Sequence, residues 1–401
     1  MKIDVGEHEI LVPGFRFGGV ACGIKKSGAP DCAVLIADRP ASAGAVFTRN
    51  RFCAAPVIVG RERVRRGRLQ ALVVNSGNAN ACTGPQGIAD AEQACAAAAA
   101  ELSISPELVA PASTGIIGVP LPMDRLATGI VRAVEDARPD GLWRFARGIM
   151  TTDAFPKVAS ESVTVGRRRV TVAGVGKGAG MIAPDMATLL VFVATDAAVD
   201  PATARWLARE AGAGPFNELT VDGDTSTNDA LYLLASGAAD NPAVTGDGPA
   251  RRTLARAVEA VAEEIARLVA TDGEGATKVV TIYVRGAASE RDATRVARTV
   301  GSSQLVKTAF FGVDPNWGRI ACAIGYSGVP VEPDRVSIRI GDVEVFRGGR
   351  GITAATEAAR AVMAQPAFDV VIRLGQGRGQ ARLRTTDLSH DYVELNSAYS
   401  T

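Results

Sequence analysis

Lys177-Gly178-Ala179-Gly180-Met181-Ile182-Ala183-Pro184-Asp185-Met186-Ala187-Thr188-Leu189-Leu190-Val191-Phe192-Val193-Ala194 is the stretch on which the rest of the chain is organised. Gly176, Gly178 and Gly180 fall within five residues, so the backbone is free to take positive φ with little side chain in its way. Pro184 stiffens the approach and restricts the residue before it. From Thr188 to Ala194 the run is apolar and branched, the pattern of a strand buried on both faces. Thr188 is then a hydroxyl at the mouth of a core strand, reached through a flexible loop. A plain strand-initiating threonine fits that geometry equally well.

Chemistry separates the two readings. A threonine hydroxyl is a weak nucleophile without a neighbouring base, and one solution uses the threonine's own α-amine. That requires a cut between Ala187 and Thr188. Ala187 is small enough to leave its carbonyl within reach of the hydroxyl. The freed amine has a reference pKa of about 7.7–8.0, close to the neutral range in which a general base works best.

Composition narrows the field. At 401 residues the chain is long enough for two subdomains. A hydrophobic content of 47% with 22% charged residues marks an ordinary globular protein. The formal net charge of +1 lacks the basic footprint of a nucleic-acid binder. Asp4, Glu7, Glu9 and Pro13 interrupt any signal-peptide core, and no apolar run is long enough for a membrane span. Cys22, Cys32, Cys53, Cys82, Cys95 and Cys322 form no paired motif and read as buried free thiols of a reducing cytoplasm. His8 and His390 stand near opposite chain ends, which argues against a histidine triad or a histidine-rich zinc site. No metal is expected.

The sequence before the central stretch predicts short strands at Cys32–Ala37, Ala45–Thr48 and Ala55–Val59, then another at 69–74. Asn75, Asn78 and Asn80 follow it, in a turn that satisfies its own backbone or, less simply, contacts a ligand. The alanine-rich segment 88–102 predicts a helix. Ser113-Thr114-Gly115 is common in turns, yet a hydroxyl followed by glycine also suits an oxyanion hole. Residues 125–145 predict one helix, 148–155 a polar-rimmed loop, and 161–175 a hairpin pivoting at Gly166.

Beyond the central strand, 201–211 predicts a helix with proline in its first turn. Asp222, Asp224, Ser226 and Asn228 imitate a calcium loop, but Thr227 and Leu233 occupy the places of its glycine and bidentate glutamate. The segment reads instead as a hydroxyl-rich loop supporting a site or leading into a helix. Leu254, Val258, Val261, Ile265 and Leu268 give a helix over 252–270 one apolar stripe. It runs into Gly273-Glu274-Gly275, where the glutamate is either an aimed carboxylate or a solvated turn residue. Strands and a helix between 278 and 385 suggest a smaller C-terminal α/β subdomain, with Gly375–Gly379 as a hairpin connection. Neither that segment nor 174–178 opens a helix, so no phosphate loop is expected.

These segments together resemble the ornithine acetyltransferase family, the bifunctional glutamate N-acetyltransferases of arginine biosynthesis. Lys177–Leu190 is similar to the family signature, including the Ala-Thr self-cleavage junction. Further matches are Ser113–Gly118, Asp222–Asp229, Asp272–Thr277, Asp314–Arg319 and Tyr392–Thr401. The resemblance implies a layered α-β-β-α fold of the self-processing N-terminal-nucleophile kind. It also implies cleavage into 1–187 and 188–401, two copies of each, and no cofactor. Thr188 would be the nucleophile, with Thr114 and Gly115 as the oxyanion hole. Lys177, Glu274, Asn396, Thr401 and one of Thr151 and Thr152 would line the amino-acid pocket. The implied reaction moves an acetyl group from N2-acetylornithine to glutamate through acetyl-Thr188. Acetyl-CoA as a further donor is left open, and a related self-processing amidase or aminopeptidase is the alternative.

Overall fold

The computed structural model describes residues 6–183 and 189–398, so Ala187, Thr188 and Thr401 lie outside the described residues. The chain divides into two compact units, one of Lys2–Asn217 with Thr225–Val269 and one of Glu218–Asp224 with Ala270–Ser400.

The larger unit runs β1 (Phe15–Val20), β2 (Cys32–Phe47), α1 (Ala55–Val64), β3 (Arg68–Asn78), α2 (Gly84–Leu102), β4 (Val109–Ile116), α3 (Met123–Asp136), α4 (Leu142–Ile149), β5 (Lys157–Val165), β6 (Arg168–Lys177), β7 (Leu190–Thr195), α5 (Pro201–Ala211), β8 (Ala230–Ala235) and α6 (Pro249–Thr271). Its strands form one sheet in the order β4-β3-β2-β8-β7-β6-β5, with β1 paired to β2. All six residues of β7 are buried, as an apolar central strand requires. It lies antiparallel to β6 and parallel to β8.

Alternation along β2 shows the layers. Ala33, Leu35 and Ala37 pack with Leu142, Phe145 and Ile149 of α4, while Cys32, Val34 and Ile36 pack with α2 and α3. Helices therefore cover both faces of the sheet. Gly174 and Gly176 let α6 approach β6: a Cβ on either would stand 2.6 or 2.4 Å from Val261 or Ile265.

The smaller unit contains β9 (Val279–Ala287), α7 (Glu290–Gly301), α8 (Gln304–Phe311), α9 (Trp317–Gly325), β10 (Ser337–Ile340), β11 (Val343–Arg347), β12 (Arg350–Gly351), α10 (Thr356–Met363), β13 (Ala367–Arg373), β14 (Gly379–Thr386) and α11 (His390–Ala398). The sheet order is β12-β11-β10-β13-β9-β14. Its core joins Val280, Ile282 and Val284 to Val296, Val300, Val306 and Phe310 of the covering helices. Ser289, Ser303 and Asn316 cap α7, α8 and α9 by accepting from backbone amides. The polar turn at Asp314–Arg319 is thus a helix start. The chain adopts the layered mixed α/β class that the resemblance implied, with a second, smaller α/β unit.

Several local expectations are corrected. Ala55–Val59 is the start of helix α1 rather than a strand. A five-residue apolar run cannot distinguish the two, and Pro56 suits a helix's first turn while lacking a ladder donor. The helix expected over 125–145 is two, α3 and α4, broken where Pro139 and Gly141 interrupt the chain. Leu219–Asp229 leads into strand β8, not a helix. Gly375–Gly379 joins no hairpin, because β13 and β14 flank β9 on opposite sides. The glycine segment crosses the end of β9, where the Gly286 carbonyl accepts from the amides of Gln376 (2.7 Å) and Gly377 (3.0 Å). Of the six free thiols only Cys32 and Cys95 are buried; Cys82 and Cys322 are exposed.

Candidate functional site

In the larger unit, β4 carries Thr114 and Gly115 beside β3. Gly115 has φ +134°, and a Cβ there would meet the Gly77 carbonyl carbon at 2.3 Å, so only glycine fits. Asn75 and Asn78 belong to β3, so the expected turn begins only at Ala79. It is satisfied partly from within and partly by Ser113, which donates to Asn75 Oδ1, and by the carbonyls of Val119, Pro120 and Gly87. Asn75 Nδ2 donates to the Asn78 carbonyl (2.8 Å), and the Asn80 amide donates to Asn78 Oδ1 (2.8 Å). Asn228 ties this turn to β4 by donating to the carbonyls of Ala79 (2.6 Å) and Ser113 (2.8 Å).

Lys177 ends β6 and pairs in register with Leu190, two residues after Thr188 in the chain. Its Nζ donates to Thr151 Oγ1 at 2.6 Å and to Thr114 Oγ1 at 3.3 Å. Thr152 is exposed, so Thr151 is the member of the pair that joins Lys177. The cluster sets one buried ammonium between two hydroxyls, an arrangement able to hold a carboxylate.

Asp153 organises this cluster and was not anticipated. Its side chain is fully buried with that of Lys157, whose Nζ donates to Oδ1 at 2.6 Å. Oδ1 also accepts from the Gly178 amide (2.7 Å), and Oδ2 from the Thr151 amide (2.9 Å). Lys177 Nζ stands 3.9 Å from Oδ2. Burial pushes the Asp153 carboxyl up, but Lys157, Lys177 and the hydrogen bonds outweigh it and hold the group well below the usual carboxylate range. Asp229, buried beside them, behaves oppositely: burial raises it well above the ordinary value, and its Oδ2 has no hydrogen-bond partner among the described residues.

In the smaller unit, Glu274 sits in the turn after α6. Asn396 Nδ2 donates to its Oε2 at 2.9 Å. Gly275 takes φ +64°, with a Cβ position only 2.3 Å from the Tyr392 amide nitrogen. Ser389 Oγ donates to the Gly275 carbonyl (2.5 Å). Asp387 fixes the next residues by accepting from the amides of Thr277 (2.8 Å) and Lys278 (3.0 Å) and from the Thr277 hydroxyl. Burial pushes the Tyr392 phenol up, and Asp222, Asp224 and Glu274 add to it. This neighbourhood is predominantly negative.

The structure therefore brings Lys177, Thr151 and Thr114 together in one unit and Glu274 and Asn396 in the other. Asp153, Lys157 and Asp387 escaped the sequence because their partners are loop amides and distant lysines. The spacing of Asp153 and Lys157 carried no helical signal, and nothing near Asp387 marked it.

Fold and site together define a layered α/β protein whose larger unit gathers a buried lysine and two threonine hydroxyls. The ArgJ family model matches residues 16–401. The arginine biosynthesis bifunctional protein ArgJ of Geobacter sulfurreducens is 47% identical over 391 residues, spanning 97% of this chain and all of that protein. The crystal structure of the same-named protein from Bacillus halodurans is 38% identical, with a TM-score of 0.50, and covers 52% of this chain and 98% of its own. That of ornithine acetyltransferase complexed with ornithine from Mycobacterium tuberculosis is 42% identical, with a TM-score of 0.39, over 43% of this chain and 93% of its own. The chain belongs to the ArgJ family, acetyltransferase enzymes of arginine biosynthesis.

Proposed function

We propose that this chain is a self-processing acetyltransferase that moves the acetyl group of N2-acetyl-L-ornithine to L-glutamate through an acetyl-threonine intermediate. The carrying observation is the buried Lys177 ammonium between Thr151 and Thr114, at the end of the strand paired with β7. Thr188 Oγ attacks the Ala187 carbonyl, the acyl group shifts from nitrogen to oxygen, and water releases 1–187 from 188–401. The new Thr188 amine then takes the hydroxyl proton, and Oγ attacks the acetyl carbonyl. Thr114 and Gly115 stabilise the oxyanion, a donor of that kind contributing about 2.7–4 kcal/mol. Ornithine leaves with the proton, and the glutamate amine attacks the ester to give N-acetylglutamate in a ping-pong cycle.

Lys177 holds the substrate α-carboxylate, Glu274 attracts ornithine's distal ammonium, and Thr151, Asn396 and Thr401 line the amino-acid pocket. No cofactor enters the cycle. Acetyl-CoA serves as a second donor in the bifunctional form, and the working assembly is two copies of each fragment in the cytoplasm. Self-cleavage is supported by the Bacillus halodurans crystal chain, nearly all of which matches only half of this one, whereas the Geobacter protein is spanned whole.

A denaturing gel should show two fragments, with Thr188 first in the second by N-terminal sequencing. Thr188→Ala should leave one chain without transfer, and an intact, fully active variant would overturn the mechanism. Acetylornithine hydrolysis indifferent to glutamate would identify an amidase instead.

A further inference from the structure

We propose that Asp153 is a positioning residue: its buried carboxylate fixes the Lys177 ammonium, the Thr151 amide and the Gly178 peptide in one arrangement for the substrate carboxylate. The inference rests on the proposed role of Lys177 and adds a residue that touches no substrate.

The geometry is one carboxylate that accepts three hydrogen bonds and has a second ammonium at its edge. Oδ1 accepts from Lys157 Nζ and the Gly178 amide, at 2.6 and 2.7 Å. Oδ2 accepts from the Thr151 amide at 2.9 Å and faces Lys177 Nζ at 3.9 Å. Thr151 and Lys177 are then joined directly at 2.6 Å, which closes a ring of contacts through Asp153. Gly178 is the first peptide of the segment leading toward Thr188, so the same group anchors that segment's base. A lysine flanked only by hydroxyls in a buried site would tend to lose its proton. An anion beside it keeps the charge, and full burial of that anion keeps the geometry rigid.

Lys157 explains how such a carboxylate is tolerated. Both side chains are wholly buried and paired, and Lys157 Nζ also lies 5.1 Å from the centre of the Phe155 ring. Lys157 balances the burial of Asp153, leaving Lys177 as the cation turned toward substrate. Among the described residues, other titratable groups whose fields reach this cluster include Lys25, acting on Asp153 and Lys177, and Asp229, acting on Lys177.

Three variants of the full chain test the assignment: Asp153→Asn, Lys157→Met, and the two together. The asparagine oxygen still accepts from the Gly178 and Thr151 amides but carries no charge. The double variant removes both members of the wholly buried Asp153–Lys157 pair together, so it carries the test if Asp153→Asn alone does not fold. The first readout is the titration of Lys177, measured by competitive labelling with acetic anhydride and mass spectrometry. Its apparent pKa should fall in the double variant, where the anion beside it is gone, and should not fall in Lys157→Met, which removes only a like charge. The second is acetyl transfer from acetylornithine to glutamate. The double variant should lose about ten- to a hundredfold in kcat/KM, as misplaced binding groups do. The alkaline limb of its profile should move to lower pH, while Lys157→Met keeps the wild-type profile.

An unchanged Lys177 titration in a folded double variant overturns the positioning role, whether or not the enzyme transfers acetyl groups. So does equal damage by Lys157→Met, which would mark a merely structural pair. A Lys177 shift in the double variant together with no acetyl transfer by the wild type would refute the proposed function alone.

Discussion

Asp153 and Asp387 are two buried aspartates, one in each unit, that use the same contacts to different ends. Each accepts from two backbone amides and has a lysine at its edge, Lys177 at 3.9 Å and Lys278 at 3.8 Å. Asp153 pairs directly with a second, wholly buried lysine, whereas Asp387 takes the Thr277 hydroxyl in that place, with the buried Lys307 within its field. The balance of charge around Asp153 is therefore positive. Near Asp387 the same unit gathers Asp222, Asp224 and Glu274 around Tyr392, and the balance is negative. One carboxylate anchors a cation and the other a turn that bears an anion. The cluster around Asp153 and the turn around Glu274 thus differ in their dominant sign.

The largest effect expected from breaking this contrast is at its cation. Lys177→Met should lower kcat/KM in the acetyl-transfer assay by about a hundred- to a thousandfold, the ~3–4 kcal/mol of charged contacts in a dry site. Lys177→Arg should not rescue it, since the buried ammonium sits 2.6 Å from Thr151 and a planar fork needs more room. Next come the two glycines whose backbones admit no Cβ. Gly115→Ala and Gly275→Ala should each lose about 2–3 kcal/mol in urea unfolding. Equal losses would show that both loops are held equally stiffly despite their opposite charge.

On the negative side, Glu274→Gln should raise KM for acetylornithine about tenfold with a smaller change in kcat. Asn396→Ala should do about a third as much, because Asn396 acts through its 2.9 Å bond to Glu274. The smallest effect is in the support beneath that side. Burial lowers Lys307 to about 8 against the opposing fields of Asp387 and Asp222. The folded protein then binds fewer protons than the unfolded chain between pH 8 and 10.5, so stability contributed by this group rises with pH across that window. Wild type should gain on Lys307→Met by about 1 kcal/mol per pH unit from pH 8 upward. A flat difference would show that Lys307 stays charged.

What the sequence made legible follows from how locally each feature is encoded. The strand at β7, the helix α5 with Pro201 at its start and the stripe of α6 were readable because burial imposes a run or a period on neighbouring residues. The break between α3 and α4 was available in Pro139 and overlooked under a longer apolar pattern. Sheet order was not legible, since β2 pairs with β8 across most of the larger unit. Thr114, Gly115, Lys177 and Glu274 stood out through glycine-rich surroundings. Asp153 did not, because a loop aspartate shows nothing of the lysines that folding brings to it. The choice of Thr151 over Thr152 likewise needed the position of Lys177.

Strands β7 and β8 come after residue 188 and lie between β2 and β6, both of which come before it. A nick ahead of β7 would leave two polypeptides dovetailed like clasped fingers, neither owning the whole of the larger unit's sheet. Release of either piece would mean tearing two ladders at once, so the halves should survive dilution together. Made separately, each would lack its neighbours and should remain unable to fold until the other is supplied.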